Sequence, residues 1–250
     1  MRTGFIALLC AAVVGGCVTT ETVQFKPRAD QQSITRDGVP GLVSTRKDSI
    51  VIARPAAREF QIGGRPVFVI AIYNRSKGPE EFRVSNVSVT QNVNGNDAQL
   101  RVITYEELVS EEKTRQTIAA IATGLAVAGT AISASQAGYY NANSTVYTPR
   151  GAYQVHTTAY SPAAASIAQS NANAQNAELI SATIERGQAN MATLERAVIK
   201  DNTLMPGEWY GGQLHIAPLA SQDGPKTYTI SVAVGSDRHE IQISQGTPSS

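Results

Sequence analysis

Residues 104 to 202 read as helix while the stretches on either side read as strand and turn, and this interruption limits the folds open to the chain. Thr104-Tyr105-Glu106-Glu107 fits a capping box, in which the Thr104 side chain caps the Glu107 amide and Glu107 reaches back. Ile103 and Leu108 occupy the two positions of a hydrophobic staple around it. The spacing predicts a helix to about Ala137, stopped at Gly138, with an apolar seam of Ile118, Ala122, Leu125, Gly129 and Ile132. Ser161-Pro162 predicts a second start, a cap followed by proline in the first turn. That helix runs to about Lys200, with Ile180, Ile184, Gly187, Met191, Leu194 and Val198 along its seam. Two such seams predict packing as a long antiparallel helical hairpin. Residues 139–160 between them hold Tyr139, Tyr140, Tyr147, Tyr153 and Tyr160 among Asn, Thr, Ser and Gly, and read as a long, mobile linker.

The flanks alternate with period two. Residues 49–53 and 59–62 are short strand candidates, and 66–73, apolar on both faces, suits a central strand. Val84 and Val87 are out of phase, which predicts a β-bulge at Ser85-Asn86. Asn94-Gly95 predicts a tight hairpin turn, with Leu100, Val102 and Ile103 returning. Tyr228, Ile230, Val232 and Val234 form the cleanest half-buried strand, which turns at Gly235 into 239–243. Neither flank has enough strands to close a core alone. The expected fold is therefore α+β: an antiparallel β-sandwich built from 41–103 and 203–244, with 104–202 inserted as the helical hairpin and 245–250 as a disordered tail. The strand pattern loosely resembles the immunoglobulin-like sandwiches of exported bacterial proteins.

At the N-terminus, Arg2, an apolar run from Phe5 to Val14 and two glycines lead into Cys17, the layout of a secretory signal peptide rebuilt around cysteine. Val14-Gly15-Gly16-Cys17 resembles the lipobox of bacterial lipoproteins. The resemblance implies that 1–16 are a signal peptide and that Cys17 is lipidated and becomes the new N-terminus. An ordinary signal peptide or short anchor is the alternative, but a bilayer span needs about 20 apolar residues. Residues 17–40 read as a polar tether, with a short strand around 23–25. Val18 stands where an Asp would resemble the inner-membrane retention signal of enteric bacteria, so the expected location is the outer membrane, facing the periplasm.

Charge is balanced, with 21 basic and 20 acidic residues, which disfavours a nucleic-acid partner. Nucleophile elbow, zinc-helix and phosphate-loop patterns do not occur in the sequence. Asp237, His239 and Glu240 could be drawn as a metal site, yet strand alternation sends Glu240 away from His239, so no metal and no cofactor are expected. Trp209, beside Tyr210, is expected to cap the sandwich core; the linker tyrosines make the better partner-contact surface.

No charge occurs from 116 to 149, and Ala120, Gly124 and Ala128, with Gly129, make a small-residue contact face. Ile118, Ile121, Leu125, Val127 and Ile132 favour membrane insertion by about 0.3–0.6 kcal/mol each, which leaves insertion marginal against Thr123, Thr130, Ser133 and the glycines. The expectation is a non-catalytic, lipid-anchored envelope protein whose hairpin contacts a second copy or another envelope protein. The alternative is a membrane-active lipoprotein whose helix 117–136 inserts or lines an oligomeric pore.

Overall fold

The computed structural model describes residues 20–36, 38–57, 59–61, 64–149, 151–218 and 224–246. The expected signal peptide, 1–16, and the expected lipidation site, Cys17, lie outside the described residues. In chain order the strands before the first helix are β1 (Thr20–Phe25), β2 (Gln31–Arg36), β3 (Val39–Thr45), β4 (Ser49–Pro55), β5 (Glu59–Gln61), β6 (Val67–Asn74), β7 (Glu80–Phe82), β8 (Val87–Val93), β9 (Asn96–Leu100) and β10 (Val102–Ile103). Then come α1 (Tyr105–Gln136), β11 (Tyr139–Thr148), β12 (Gly151–Tyr160) and α2 (Pro162–Ala197). The chain closes with β13 (Asn202–Leu204), β14 (Trp209–Ile216), β15 (Lys226–Val234) and β16 (Asp237–Gly246). The fold is α+β, and it divides into two compact units: Met1–Ile103 with Ile199–Ser250, and Thr104–Val198.

The first unit is built on two six-stranded sheets, ordered β5-β1-β16-β15-β8-β9 and β10-β14-β6-β4-β3-β2, with β7 and β13 as a small third pair. Neighbouring strands are antiparallel throughout. Alternating residues of both sheets enter one core, including Phe68, Ile70 and Ile72 of β6 and Tyr228, Ile230 and Val232 of β15. Each such side chain, once fully buried, contributes about 1.5–3 kcal/mol. Phe68 joins the sheets through edge-on contacts with Phe60 and Tyr228, at 5.6 and 5.9 Å between ring centres. Both flanks of the sequence supply strands to each sheet, so the core needs both.

Several boundaries depart from the sequence reading. Residues 20–25 and 31–36, expected to be mostly tether, are strands: β1 sits between β16 and β5, and β2 forms a sheet edge. Their polarity follows from position, since an edge strand such as β2 buries little besides Gln31. Gln245 and Gly246, expected in the tail, belong to β16 and register with Val23 and Thr22. The expected bulge at Ser85-Asn86 is a single 3-10 turn, Val84–Asn86, that carries the chain from β7, paired with β13, to β8 in the first sheet. The phase change therefore marks a change of sheet. The returning strand is likewise split: β9 pairs with β8, while β10 leaves for β14 in the second sheet. Asn94 (φ 51°) and Gly95 (φ 84°) do make the hairpin turn, with the left-handed pair of angles it requires.

In the second unit, Thr104 caps α1 with both capping-box hydrogen bonds in place, each 3.3 Å. Ser161 caps α2 through the Ala164 amide, with Pro162 in the first turn. The segment expected to be a mobile linker is instead a two-stranded β-hairpin, β11 and β12 paired from Tyr139–Tyr160 to Thr148–Gly151. Gly138 closes α1 because of a close approach: a Cβ there would strike the Tyr160 ring and lie 2.9 Å from the Ala165 Cβ.

Candidate functional site

A row of polar contacts runs along the α1–α2 seam, between small or apolar residues such as Leu108, Ala134 and Ala172 that are also buried. Gln116, Thr123 and Thr130 recur every seven residues on α1, and Asn176, Thr183 and Asn190 do the same on α2. Their contacts cross the seam in antiparallel order. Gln116 donates to the Gly187 carbonyl at 3.0 Å, the Thr123 and Thr183 hydroxyls meet at 3.0 Å, and Thr130 donates to Asn176 Oδ1 at 2.6 Å. At one end Glu112, itself buried, accepts from Gln116, Asn190 and Arg115. Burial would raise its carboxyl pKa, but these hydrogen bonds and the Arg115 charge hold it below the ordinary value. Gly187 lets the helices meet, since a Cβ there would sit 3.0 Å from the Gln116 amide carbon.

This seam corrects the expected one. Ile118, Leu125 and Ile132 do not pack on α2; they are 63, 71 and 61% exposed, as is Ile121 at 61%. At 100° per residue Ile121, Leu125 and Ile132 stand on the side of α1 opposite Thr123. Ala120, Gly124, Ala128 and Gly129, the face expected to meet a second copy or another partner, are exposed and take no part in packing on α2, and a Cβ at either glycine would meet nothing within 4 Å. On α2, Ile180 and Ile184 are 44 and 54% exposed, whereas Gly187 and Val198 are buried. The physical reason is hydrogen bonding. From Ile118 on, α1 is apolar or small around most of its circumference, so the face turned to α2 is chosen by the side chains whose polar atoms can be satisfied there.

Heptad spacing of Gln116, Thr123 and Thr130 was the available sequence signal. On α1 beyond Ile118 an apolar exterior backs a seam of polar contacts, the reverse of a helix that ends at water, whereas the outer side of α2 carries exposed Gln169, Asn173, Glu178 and Arg186. α1 is also the one helix among the described residues long and apolar enough to cross a membrane, with a mean hydropathy of 1.7 over its most apolar 18 residues, 6% of them buried. No protein-family model, curated protein or solved structure matches this chain.

The five tyrosines of the β-hairpin are between 51 and 82% exposed, and Tyr139 and Tyr160 pair their rings at 4.8 Å. Trp209 does not cap the core: it is 51% exposed and lies against Tyr73 at 4.8 Å between ring centres. The adjacent Tyr210 takes the inward position, its hydroxyl bonded to the Lys200 backbone.

His239 is fully buried, and its two ring nitrogens lie 2.8 Å from the Ser49 hydroxyl and 3.0 Å from that of Ser44. Ser49 also donates to Asp237 at 2.7 Å. A single neutral tautomer satisfies this chain: Nε2–H donates to Ser49, and Nδ1 accepts from Ser44. The network ties β16 of one sheet to β3 and β4 of the other, and Glu240 faces away to accept from Arg28 at 2.7 Å. Among the described residues no three His, Cys, Asp or Glu side chains cluster in a way that could hold a metal ion.

Proposed function

We propose that this chain is a lipid-anchored protein of the bacterial envelope, on the periplasmic face of the outer membrane, that works by self-association and not by catalysis. Its two-sheet unit acts as an immunoglobulin-like scaffold, and its helical hairpin is the assembly element. The observation that carries this reading is the inverted polarity of the helical pair: hydrogen-bonded Thr123–Thr183 and Thr130–Asn176 inside, Ile118, Ile121, Leu125 and Ile132 outside. Such a stripe, with Gly124 and Ala128 beside it, suits close approach of a second copy of the same helix. Val14-Gly15-Gly16-Cys17 supports anchoring through lipid on Cys17.

The test is the native mass of the full-length protein extracted in mild detergent. A multimer is expected, and Leu125→Glu should reduce it to monomer. A monomeric wild type, or a Leu125→Glu multimer of unchanged mass, overturns the reading. Metabolic labelling with a fatty-acid analogue should mark the wild type and miss Cys17→Ser.

The hydropathy of α1 favours a second reading, in which helix 117–136 enters the bilayer. Glu178, Glu185, Arg186 and Glu195 keep α2 out of hydrocarbon. A Cys17→Ser protein exported by a conventional signal peptide that resists carbonate extraction, and still resists it with Val155→Arg added in the β11–β12 hairpin, would favour insertion of the helix over self-association.

A further inference from the structure

The β11–β12 hairpin has no strand neighbour beyond itself among the described residues, and its side chains from Tyr139 to Tyr147 and from Gly151 to Thr158 are exposed. A lone two-stranded hairpin is marginally stable in water. Its two outer edges are rows of backbone donors and acceptors suited to further strands. The two edges are also complementary in direction. β11 runs out from the helices and β12 runs back, so β12 of one copy lies antiparallel to β11 of the next, and the contact repeats around a ring.

The register sorts the side chains onto two unlike faces. One face carries Asn141, Asn143, Thr145, Gln154, His156 and Thr158 along its middle, with Tyr139 and Tyr160 at the helix end and Tyr147 and Ala152 toward the turn; its residues bond across the strands, Thr158 donating to Asn141 at 2.8 Å and His156 Nδ1 lying 2.6 Å from Asn143 Oδ1. The other carries Tyr140 opposite Ala159, Ala142 opposite Thr157, Ser144 opposite Val155 and Val146 opposite Tyr153, so it is the less polar of the two, with Ser144 and Thr157 as its hydroxyls. Each strand has ten residues. At about 3.3 Å per residue and a tilt near 40°, that length covers about 25 Å, the height of the apolar band of a membrane β-barrel. Between 116 and 177 the sequence carries one formal charge, Arg150, which falls between the two strands in sequence.

We propose that each copy contributes this hairpin as one stave of a transmembrane β-barrel, with the Asn141–Asn143–His156 face lining an aqueous lumen and the Val146–Val155 face toward lipid. The proposal rests on the self-association above and commits to further copies of this chain as the occupants of both hairpin edges. On the lipid-facing side Tyr140 and Tyr153 bracket the central part of the span, about 15 Å of it, as aromatic residues bracket the apolar band of a membrane barrel. The lumen passes small ions, because its lining is polar and uncharged.

The test is single-channel conductance of the full-length protein in planar bilayers of phosphatidylcholine and phosphatidylglycerol in KCl, with native mass measured on the same preparation. Wild type should give discrete conductance steps with weak ion selectivity. Asn143→Lys should shift the reversal potential in a salt gradient toward anion selectivity, and Val155→Arg should abolish the steps while leaving the multimer intact. Both substitutions fall on exposed hairpin positions. A multimer without conductance overturns the barrel and leaves self-association standing; a monomer without conductance overturns both. Steps whose selectivity ignores Asn143→Lys, or that survive Val155→Arg, also overturn the barrel.

Discussion

Thr130 of α1 donates to Asn176 Oδ1 of α2 at 2.6 Å, and Asn176 is buried at 8% exposure. The pair places a polar contact where a water-facing helical hairpin would carry leucine. Such contacts give register, because sliding one helix by a residue would separate every partner along the seam.

Thr130→Val keeps the shape and removes the donor. The Asn176 amide oxygen then loses its bond in a buried place, at a cost of about 1–3 kcal/mol. Thermal unfolding followed by helical circular dichroism should show the drop, and Thr130→Val with Asn176→Leu should recover much of it. Equal melting of wild type and Thr130→Val would remove the seam from the account of stability.

The glycines of the helices should respond with opposite signs. A Cβ at Gly124 meets nothing within 4 Å, so Gly124→Ala should gain helix stability, about 0.5–1 kcal/mol. At Gly187 the neighbour is Gln116, and Gly187→Leu should force the helices apart and lose the Gln116 bond to the Gly187 carbonyl. The pair of melting temperatures, one up and one down, checks the orientation of α1 directly.

The ends of elements were legible because local chemistry sets them. The Thr104–Glu107 box, Ser161-Pro162 and Asn94-Gly95 each act within a few residues, and each stands at the boundary it signals. The face of α1 that packs was not legible from hydrophobicity, because apolar residues occur on nearly every side and burial follows the few polar atoms needing partners. The hairpin was hidden for a related reason. Its alternation sets Asn141 and Asn143 against Ala142 and Ser144, a contrast weak enough for the segment to pass as linker. The 3-10 turn at Val84–Asn86 shows a third limit: a phase change in sequence cannot distinguish a bulge within one sheet from a passage between two.

Asn74 offers a sharp stability test in the first unit. Its side chain is fully buried, donates to the carbonyls of Gly78 and Leu204 at 2.8 and 2.9 Å, and accepts from the Ser76 amide. Asn74→Ala should cost about 2–3 kcal/mol in urea unfolding, by stranding these backbone groups. The same geometry leaves no room for a glycan on the Asn74-Arg75-Ser76 triplet in the folded protein.

Acid should weaken the first unit through His239. Burial pushes the imidazole down from 6.5 to about 4; the Asp237 and Asp30 charges and the Ser44 backbone oppose that push, and the Arg46 charge adds to it. The unfolded chain therefore binds the proton first. This contribution is fully present above pH 6.5 and is lost as pH falls toward 4, by at most about 3 kcal/mol. Urea midpoints at pH 7.5 and 4.5 should differ more for wild type than for His239→Gln, and equal differences would dismiss His239 as the sensor.

Excision of the helical unit should leave the two-sheet unit folded. All residues of the shared core lie outside 104–198. The two chain ends created by the cut also meet on one strand: Ile103 registers with His215 of β14, and the Ile199 amide donates to the Gln213 carbonyl of the same strand at 3.0 Å. A linker of four to six Gly and Ser residues, roughly the length of an ordinary loop, can therefore replace 104–198 without stretching β10. Loop closure changes little at such lengths, since each doubling costs only about 0.6 kcal/mol. The shortened protein should unfold cooperatively in urea, with a strand-type circular dichroism spectrum and a native mass of one copy. If it fails to unfold cooperatively, the core of the first unit requires the insert, and the division at Ile103 and Ile199 is wrong.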